Sequence, residues 1–463
     1  MFRVICTSLI LLSLNLRAGA ALSSPAENLG QAIRYRTVSE QDTGNIDYSQ
    51  FDQLHDFLRT TYHRVFSHML VEKVAQHSLL LRWQGQGANE LPILFTAHMD
   101  VVPIEPGTEG GWQHPPFAGV VADGKIYGRG TLDDKVGVIG LLEAAEQLLV
   151  EGYVPRRTVV FAFGHDEELG GSGASAIAQR LRELDMHFEW MVDEGGMIIS
   201  DFPLVKDKPV AVVNVAEKGY LTLTLVASGE GGHSSTPPKV STIGRLSSAL
   251  SRIEQNPFPS RLVGPVKAML EAIGPHSGQP TDFVFSHLWF TGPLVQYQMS
   301  KDRLTNAFIR TTTALTMMNA GVKENVVPQR AEAKINFRLL PGDTPEYVVE
   351  RITKIVNDDT IKISHDLWNT APPIADYTGS GYAVIAQATK SVYPDAVVVP
   401  SLLSGATDTR HYTDLVDNLY RYHGTLVSTS QTKSVHGTNE FIGVESFEKS
   451  ISIAKKMIEF GAQ

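Results

Sequence analysis

The sequence has 463 residues, of which 43% are hydrophobic and 19% are charged, and its formal net charge is −10. This composition is typical of a soluble globular protein rather than a disordered one, and the length predicts more than one domain. The acidic balance lacks the basic face of a nucleic-acid-binding protein, so no nucleic-acid partner is expected.

The chain begins with a predicted export signal. A basic residue, Arg3, precedes an apolar run from Val4 to Leu16, and small residues follow at Ala18 and Ala20. This layout predicts a signal peptide over residues 1–20 and a secreted or periplasmic protein. An uncleaved anchor and a buried N-terminal helix are the alternatives. No later segment approaches the roughly 18 apolar residues of a membrane span, so none is expected after signal removal.

The only cysteine, Cys6, lies inside that signal. The mature chain therefore has no disulfide, no thiolate ligand and no cysteine nucleophile. Any metal site would have to be built from histidines and carboxylates.

Residues 79–193 alternate short apolar runs, such as "LPILFTAH" and "RTVVFAFGH", with helix-like stretches. The stretch from Lys135 to Glu151 has helical spacing and ends at Gly152. Such alternation predicts an α/β fold with a mixed, mostly parallel sheet and helices on both faces.

The pattern changes near Asn214. A strand–helix–strand–strand–helix–strand series follows, with an insertion after its first helix. It predicts an inserted α+β, ferredoxin-like lid or dimerisation domain over residues 214–371. Residues 21–213 and 372–463 would then form the catalytic domain.

Candidate metal ligands follow the apolar runs. In a parallel sheet, functional groups gather beyond the carboxyl ends of the strands. Each group alone is more typical of a helix cap, a turn or a buried histidine, but together they would repel one another without a cation. Nitrogen ligands with bridging carboxylates suit a pair of zinc ions. These candidates are His98, Asp100, Asp133, Asp134, Glu167, Glu168, Asp193, Glu194, His436 and Glu440.

Two of these pairs have a predictable geometry. Residues two apart share one face of a strand, so Asp100 can reach the His98 imidazole and fix its tautomer. Adjacent residues in an extended turn point apart. One of Glu167 and Glu168 can therefore bind metal while the other acts as a general base.

Six motifs carry a family resemblance: "AHMDVVP", "YGRGTLDDK", "GHDEELGG", "VDEGG", "GHSSTPP" and "SGATDTRHY". Their order and content resemble the di-zinc exopeptidases and amidohydrolases that include carboxypeptidase S, aminoacylase and succinyl-diaminopimelate desuccinylase. The match looks nearest to the carboxypeptidase S branch and to the secreted N-fatty-acyl-amino-acid synthases/hydrolases. It covers nearly the whole mature chain.

The resemblance implies two zinc ions per subunit, with manganese or cobalt as possible substitutes. His98 and Asp193 would hold one ion, and Glu168 and His436 the other. Asp133, two residues before Lys135, would bridge them.

The resemblance also implies catalytic roles. Asp100 would orient His98, and Glu167 would be the general base and acid. His233 would stabilise the oxyanion, often in the site of a neighbouring subunit, which implies a possible homodimer through the inserted domain.

Asn306, Arg338 and Arg410 are candidates for binding the substrate carboxylate, because arginine binds carboxylates bidentately. Each could equally be a structural salt-bridge or turn residue. Asp134, Glu194 and Glu440 have more ordinary interpretations as a helix start, an outer support or a surface residue.

The leading hypothesis is an exported metallohydrolase of carboxypeptidase type. It would cleave an amide bond next to a free carboxylate in short peptides or N-acyl amino acids. The alternatives are an N-fatty-acyl-amino-acid hydrolase/synthase and a non-catalytic metal-dependent binding protein. The sequence contains neither the G-x-S-x-G motif of a serine hydrolase nor the H-E-x-x-H motif of a single-zinc protease.

Overall fold

The computed structural model describes residues 23–87 and 90–463, so the predicted signal peptide lies outside the described residues. The helices of the described part are α1 (Pro25–Arg34), α2 (Ser49–Thr61), α3 (His63–His68), α4 (Lys135–Val150), α5 (Ser172–Glu183), α6 (Thr242–Gln255), α7 (Gly264–Ile273), α8 (Thr281–Ser286), α9 (Leu288–Met299), α10 (Arg303–Ile309), α11 (Pro345–Val356), α12 (Ser380–Val392) and α13 (Val444–Gly461).

The strands of the described part are β1 (Leu70–Val74), β2 (Ser78–Trp83), β3 (Ile93–His98), β4 (Val120–Ala122), β5 (Lys125–Tyr127), β6 (Val159–Gly164), β7 (Phe188–Asp193), β8 (Ile198–Ile199), β9 (Val210–Glu217), β10 (Gly219–Ser228), β11 (Gly232–His233), β12 (Thr312–Ala320), β13 (Val326–Val327), β14 (Arg330–Leu339), β15 (Ile361–Asn369), β16 (Val397–Leu403), β17 (Val416–Arg421), β18 (Leu426–Val427) and β19 (Phe441–Gly443).

A 10-stranded mixed sheet forms the larger layer, in the order β1-β2-β6-β3-β7-β17-β9-β8-β18, with β16 beside β9. Its centre is parallel, because β3 pairs in parallel with both β6 and β7, and β17 pairs in parallel with β7. β3 and β6 are buried along their whole length, which explains their continuous apolar sequences. The predicted α/β fold with a mixed sheet is confirmed.

Helix α4 carries the site loop into the core. It begins where the Asp134 side chain accepts a hydrogen bond from the Gly137 backbone N–H. Gly137 must lack a side chain, because an added Cβ would lie 2.5 Å from an Asp134 oxygen and 2.9 Å from His423 Nε2. Most of the helix is buried against the large sheet and α13, so its first turn holds the preceding loop in one place.

A separate four-stranded antiparallel sheet has the order β12-β14-β10-β15. With α6 and α11 it follows the ferredoxin-like order that the sequence predicts. Strand β14 alternates buried and half-exposed residues, and its buried residues pack with α6 and α11 in one apolar core.

The insertion after α6 lies between strands of the four-stranded sheet in the sequence, but it packs against the large sheet. Val266 and Leu270 of α7 belong to one apolar cluster with Val399 and Leu402 of β16. The insertion is therefore anchored on the large sheet. Among residues 23–87 and 90–463, no helix has both the length and the apolar character needed to cross a bilayer.

Candidate metal centre and active site

Three neighbouring parallel strands bring the candidate ligands to one edge of the large sheet. His98 is the last residue of β3, and Asp193 is the last residue of β7. Glu167 and Glu168 follow β6 in a short 3-10 turn. Parallel strands present their carboxyl ends at the same edge, so side chains from distant parts of the sequence meet there.

Asp133 lies between two imidazoles. One of its carboxylate oxygens, Oδ1, is 2.9 Å from His98 Nε2, and the other, Oδ2, is 2.9 Å from His436 Nε2. Glu168 Oε1 is 3.1 Å from the same His436 nitrogen. One carboxylate with a histidine on each side is the arrangement that a bridging ligand of two cations requires.

The electrostatics of this cluster are those of an anionic pocket. Burial raises the pKa of Asp133, but its hydrogen bonds to His436 and His98 outweigh burial and hold the pKa below its usual range. Hydrogen bonds to Asp133 and then Glu168 raise the pKa of His436 to about 10. The cluster therefore favours positive charge at the positions of the imidazoles.

Asp100 joins His98 to the turn that carries Glu167 and Glu168. Its Oδ1 is 3.3 Å from His98 Nδ1, and it accepts hydrogen bonds from the backbone N–H groups of Glu167 (3.1 Å) and Glu168 (3.2 Å). The Ser39 hydroxyl donates a further bond to it. Asp100 can thus orient the imidazole while it holds the 167–168 turn in place.

Glu167 interacts electrostatically with a second carboxyl group, that of Asp408. Burial raises the pKa of Glu167 well above its ordinary value, and the negative charge of Asp408 raises it further. Burial, followed by the charge of Asp193, raises the pKa of Asp408 to about 8. A carboxyl group with a raised pKa next to a metal cluster suits proton transfer near neutral pH.

The structure places Glu194, rather than Asp193, beside the first histidine. Glu194 Oε1 is 3.6 Å from His98 Nε2, and burial together with the charge of Asp133 raises the Glu194 pKa well above its ordinary value. Among the described residues, the two groups that could hold a metal are His98, Asp133 and Glu168, and His98, Asp134 and Glu194. Asp193 belongs to neither group, and its Oδ2 is buried without a hydrogen-bond partner.

Asp134 has a structural role at the base of the site. Besides starting α4, it accepts a hydrogen bond from the His98 backbone N–H (3.1 Å) and lies 2.8 Å from His423 Nε2. The expected helix-start role is confirmed, and the same carboxylate also fixes the backbone of a candidate ligand.

The donor set fits divalent cations. It combines two imidazoles with several carboxylates, a mixture that suits zinc and also accepts manganese or cobalt. In the described part of the chain, no Lys or Arg nitrogen lies within salt-bridge distance of Asp133, Glu168 or Glu194. Neither lysine nor arginine therefore balances these carboxylates within the described residues.

His233 and Asn306 lie on other elements. His233 is exposed on β11, where its Nδ1 is 2.7 Å from the Ser235 hydroxyl. Asn306 is half-buried in α10. No contact joins either residue to the metal-ligand cluster in the described residues.

Arg338 and Arg410 lie near each other. Arg338 stacks over the Tyr220 ring at 4.9 Å, and burial together with the charge of Arg410 lowers its pKa. Within the described residues, no Asp or Glu oxygen lies within salt-bridge distance of Arg338. Arg410 donates to the Thr407 carbonyl and lies 3.8 Å from Asp408. A half-buried guanidinium without an acidic partner can bind a carboxylate.

Sequence reasoning missed three residues that contact the site. His423 follows the end of β17, so the strand-end rule that selected His98 could have found it. Arg129 and Asp408 lie inside quoted motifs, "YGRGTLDDK" and "SGATDTRHY", but spacing alone gave no reason to assign them roles.

Comparison with known proteins finds relatives over most of the chain. The chain is 36% identical over 441 residues to the probable carboxypeptidase S-like 2 of Dictyostelium discoideum, covering 94% of this chain and 84% of that protein. It is 39% identical over 443 residues to the N-fatty-acyl-amino acid synthase/hydrolase PM20D1 of Bos taurus, covering 94% and 87%.

The fold is shared with an M20 family metallo-carboxypeptidase, Sso-CP2 of Sulfolobus solfataricus. The TM-score is 0.68 at 18% identity, over 95% of this chain and 99% of the other. The family model described as Peptidase family M20/M25/M40 matches residues 94–459, which include every candidate metal ligand. The chain therefore belongs to peptidase family M20/M25/M40.

Proposed function

We propose that this chain is an exported di-zinc hydrolase that cleaves an amide bond next to a free carboxylate in short peptides or N-acyl amino acids. Membership of a family of metallopeptidases supports a metal-dependent hydrolase. The observation that carries the proposal is Asp133, with its two oxygens 2.9 Å from two different imidazoles.

The proposed ligand sets follow from the distances. His98, Asp133 and Glu194 would hold one cation, and His436, Glu168 and Asp133 would hold the other. Glu194 enters this proposal because its Oε1 is 3.6 Å from His98 Nε2. Asp193, whose Oδ2 is buried without a hydrogen-bond partner among the described residues, stays the predicted alternative. Such a pair of cations, when bound, polarises the scissile carbonyl and supplies an activated water.

Protein groups would complete the chemistry. Glu167 would take the proton of the attacking water and deliver it to the leaving amine, because it adjoins Glu168 and its pKa is raised by burial. Asp100 would hold both the His98 ring and the Glu167 backbone in position. His233 would donate a hydrogen bond to the oxyanion once its exposed loop, or that of a partner subunit, approaches the site.

Substrate selection would depend on a free carboxylate. Arg338 lacks an acidic partner among the described residues, and Arg410 lies close to it. Together they would bind the carboxylate of the amino acid, with Asn306 as a further polar contact. This requirement would restrict hydrolysis to the C-terminal residue of a peptide or to an N-acyl amino acid.

A second candidate function is the hydrolysis or synthesis of N-fatty-acyl amino acids. The 39% identity to a protein of that name over 94% of this chain favours it. The catalytic steps at the site would be the same, and only the acyl group and the net direction would differ.

One experiment tests both candidates. Purified protein would be assayed against a panel of dipeptides and N-acyl amino acids, with and without a chelator, together with the variant Glu167→Ala. We expect chelator-sensitive hydrolysis of carboxylate-bearing substrates only, and loss of activity in Glu167→Ala. Unchanged hydrolysis by Glu167→Ala would refute the mechanism. A metal-loaded wild type that is inert on the whole panel would favour the binding-protein alternative.

A further inference from the structure

Glu440 connects two loops that carry candidate metal ligands. It is fully buried, immediately before β19, and follows His436 by four residues. The loop that carries Asp133 lies on its other side, at residues 128–134.

The first connection holds the Asp133 loop. The Gly128 backbone N–H donates to the Glu440 carbonyl at 3.0 Å, which continues the pairing of β5 with β19. The carboxylate oxygen Oε1 accepts two more bonds, from the backbone N–H groups of Gly130 (3.1 Å) and Leu132 (2.7 Å). One side chain thus binds the backbone directly before Asp133.

The second connection reaches His436. Arg129 Nη1 donates to the other Glu440 oxygen, Oε2, at 2.6 Å, and Nη2 donates to the His436 carbonyl at 3.2 Å. The guanidinium also lies over the Trp112 ring, 5.5 Å from its centre. Arg129 belongs to the Asp133 loop, so its guanidinium links that loop to Glu440 and to the His436 backbone.

The His436 loop needs such support. His436 has φ of 59° and Asn439 has φ of 62°, in the left-handed region that non-glycine residues rarely adopt. The His436 side chain is half exposed, and its loop is not a strand of the large sheet. A strained, exposed loop keeps its conformation only when neighbouring contacts hold it.

His98 is supported differently. It ends the buried strand β3, and Asp134 binds its backbone N–H. The Arg129–Glu440 pair makes no hydrogen bond or ion pair with His98 within the described residues. The His98 side of the proposed metal centre therefore has a support, the buried strand β3, that the His436 side lacks.

We propose that Arg129 and Glu440 form a clasp that positions His436 relative to Asp133, and that the cation on the His436 side depends on this clasp more strongly than the cation on the His98 side, which shares only Asp133 with it. The inference rests on the proposed function for its two cations. Both members of the clasp are positioning residues, because they act through the ligands and not on the substrate.

Two variants test the clasp. Glu440→Gln keeps an oxygen for the backbone N–H groups but places an amide against Arg129. Arg129→Lys keeps the positive charge but cannot bond both Glu440 and the His436 carbonyl with a planar fork. Zinc-loaded protein would be titrated with a chelator while the metal content per chain is measured by mass spectrometry.

We expect the wild type to release its ions at similar chelator concentrations. Each variant should release one ion at about 10- to 100-fold lower chelator concentration, and the second ion should be weakened clearly less than the first. Amide hydrogen exchange should rise over residues 431–439 in both variants, with or without metal.

Glu143→Gln is the matched control. Glu143 is a buried carboxylate of α4 that accepts bonds from Asn28 (2.7 Å) and Tyr62 (2.9 Å), with no bond to either ligand loop. It should lower thermal stability without changing chelator resistance.

Two results would overturn the clasp: wild-type retention of both ions in Glu440→Gln and Arg129→Lys, or equal weakening of both ions. If the wild type binds two ions but hydrolyses nothing, the proposed function fails while the metal titration still decides the clasp. If the wild type binds no metal, the amide hydrogen exchange of residues 431–439 alone tests the clasp. An unchanged exchange rate in both variants would then contradict the clasp.

Discussion

The two sheets of this protein hold their candidate functional residues in different ways. At the edge of the large sheet, His98, Asp133 and Glu168 are brought within hydrogen-bond distance of a partner by strand ends and a helix start. On the four-stranded sheet and its neighbouring loops, Arg338 and His233 contact no candidate ligand in the described residues. The fold itself assembles the first set, whereas we propose that the second set comes into use only with a substrate or a partner subunit.

The largest effect on metal binding and hydrolysis is expected from a substitution in the first set, the candidate metal ligands at the edge of the large sheet. Asp133→Asn removes the charge between the imidazoles but keeps their hydrogen-bonding geometry nearly intact. We expect metal affinity to fall by more than about 100-fold and hydrolysis by more than about 10³-fold, measured by metal analysis and initial rates. Asp185→Asn, in the exposed turn after α5, is the control and should change neither. Full metal content in Asp133→Asn would contradict the proposed bridging role, because metal binding would then not need the Asp133 carboxylate.

Glu167→Gln should be nearly as severe but different in kind. Loss of a general base lowers kcat by about 10²- to 10⁴-fold while KM and metal content stay near wild type. Steady-state kinetics with metal analysis separates this outcome from that of Asp133→Asn. A parallel loss of metal would show that Glu167 is a ligand and not the base.

His233→Ala tests the second set, the candidate residues on the four-stranded sheet and its neighbouring loops. Loss of an oxyanion donor should lower kcat by about 10²- to 10³-fold without altering the metal content. If a partner subunit supplies His233, mixing inactive His233→Ala and inactive Glu167→Gln proteins should restore activity in mixed dimers. Activity that does not recover, in a protein shown to be dimeric, would exclude supply from the partner.

Arg338→Leu should affect substrate choice more than chemistry. Loss of a charge-assisted bond of about 1.5–3 kcal/mol predicts a kcat/KM roughly 10- to 150-fold lower for substrates with a free carboxylate. Substrates capped as amides, already poor, should lose almost nothing. The comparison of free and capped substrates is the measurement, and equal losses on both would refute a carboxylate-binding role.

The smallest expected effect is on pH dependence. The raised pKa of Glu167 keeps the base protonated in acid, so activity should increase with pH as its proton is lost, above the usual range of a glutamate. Asp408→Asn, which removes the carboxyl group that repels the Glu167 charge, should lower the Glu167 pKa and move the acid limb to lower pH. An acid limb that stays at the same pH, or moves to higher pH, would show that Asp408 does not raise the pKa of Glu167.

Much of the site could be predicted from the sequence because its signals are local. The apolar runs before His98, Glu167 and Asp193 were recognisable as buried strands, and strands β3, β6 and β7 begin and end close to those runs. Ligand-type residues directly after such runs indicated a shared sheet edge before any contact was known. The strand and helix order of the inserted sheet followed from periodicity in the same way.

Other features depend on the direction of side chains and on tertiary packing, and the spacing of residues in the sequence determines neither. Asp193 and Glu194 are adjacent, and only the path of the chain after β7 decides which carboxylate turns toward His98. The same holds for α7, which lies within the sequence of the inserted domain but packs against β16 of the large sheet.

The sequence by itself determined the chemistry available to this protein: a chain whose only cysteine is Cys6, with histidines and carboxylates after buried strands, in the motif order of a metallopeptidase family. The tertiary structure decided which of those groups meet. It placed Glu194 beside His98 and turned Glu440 inward as the partner of Arg129. The physical reason is that burial and hydrogen bonding select among neighbouring side chains only after distant loops have been brought together.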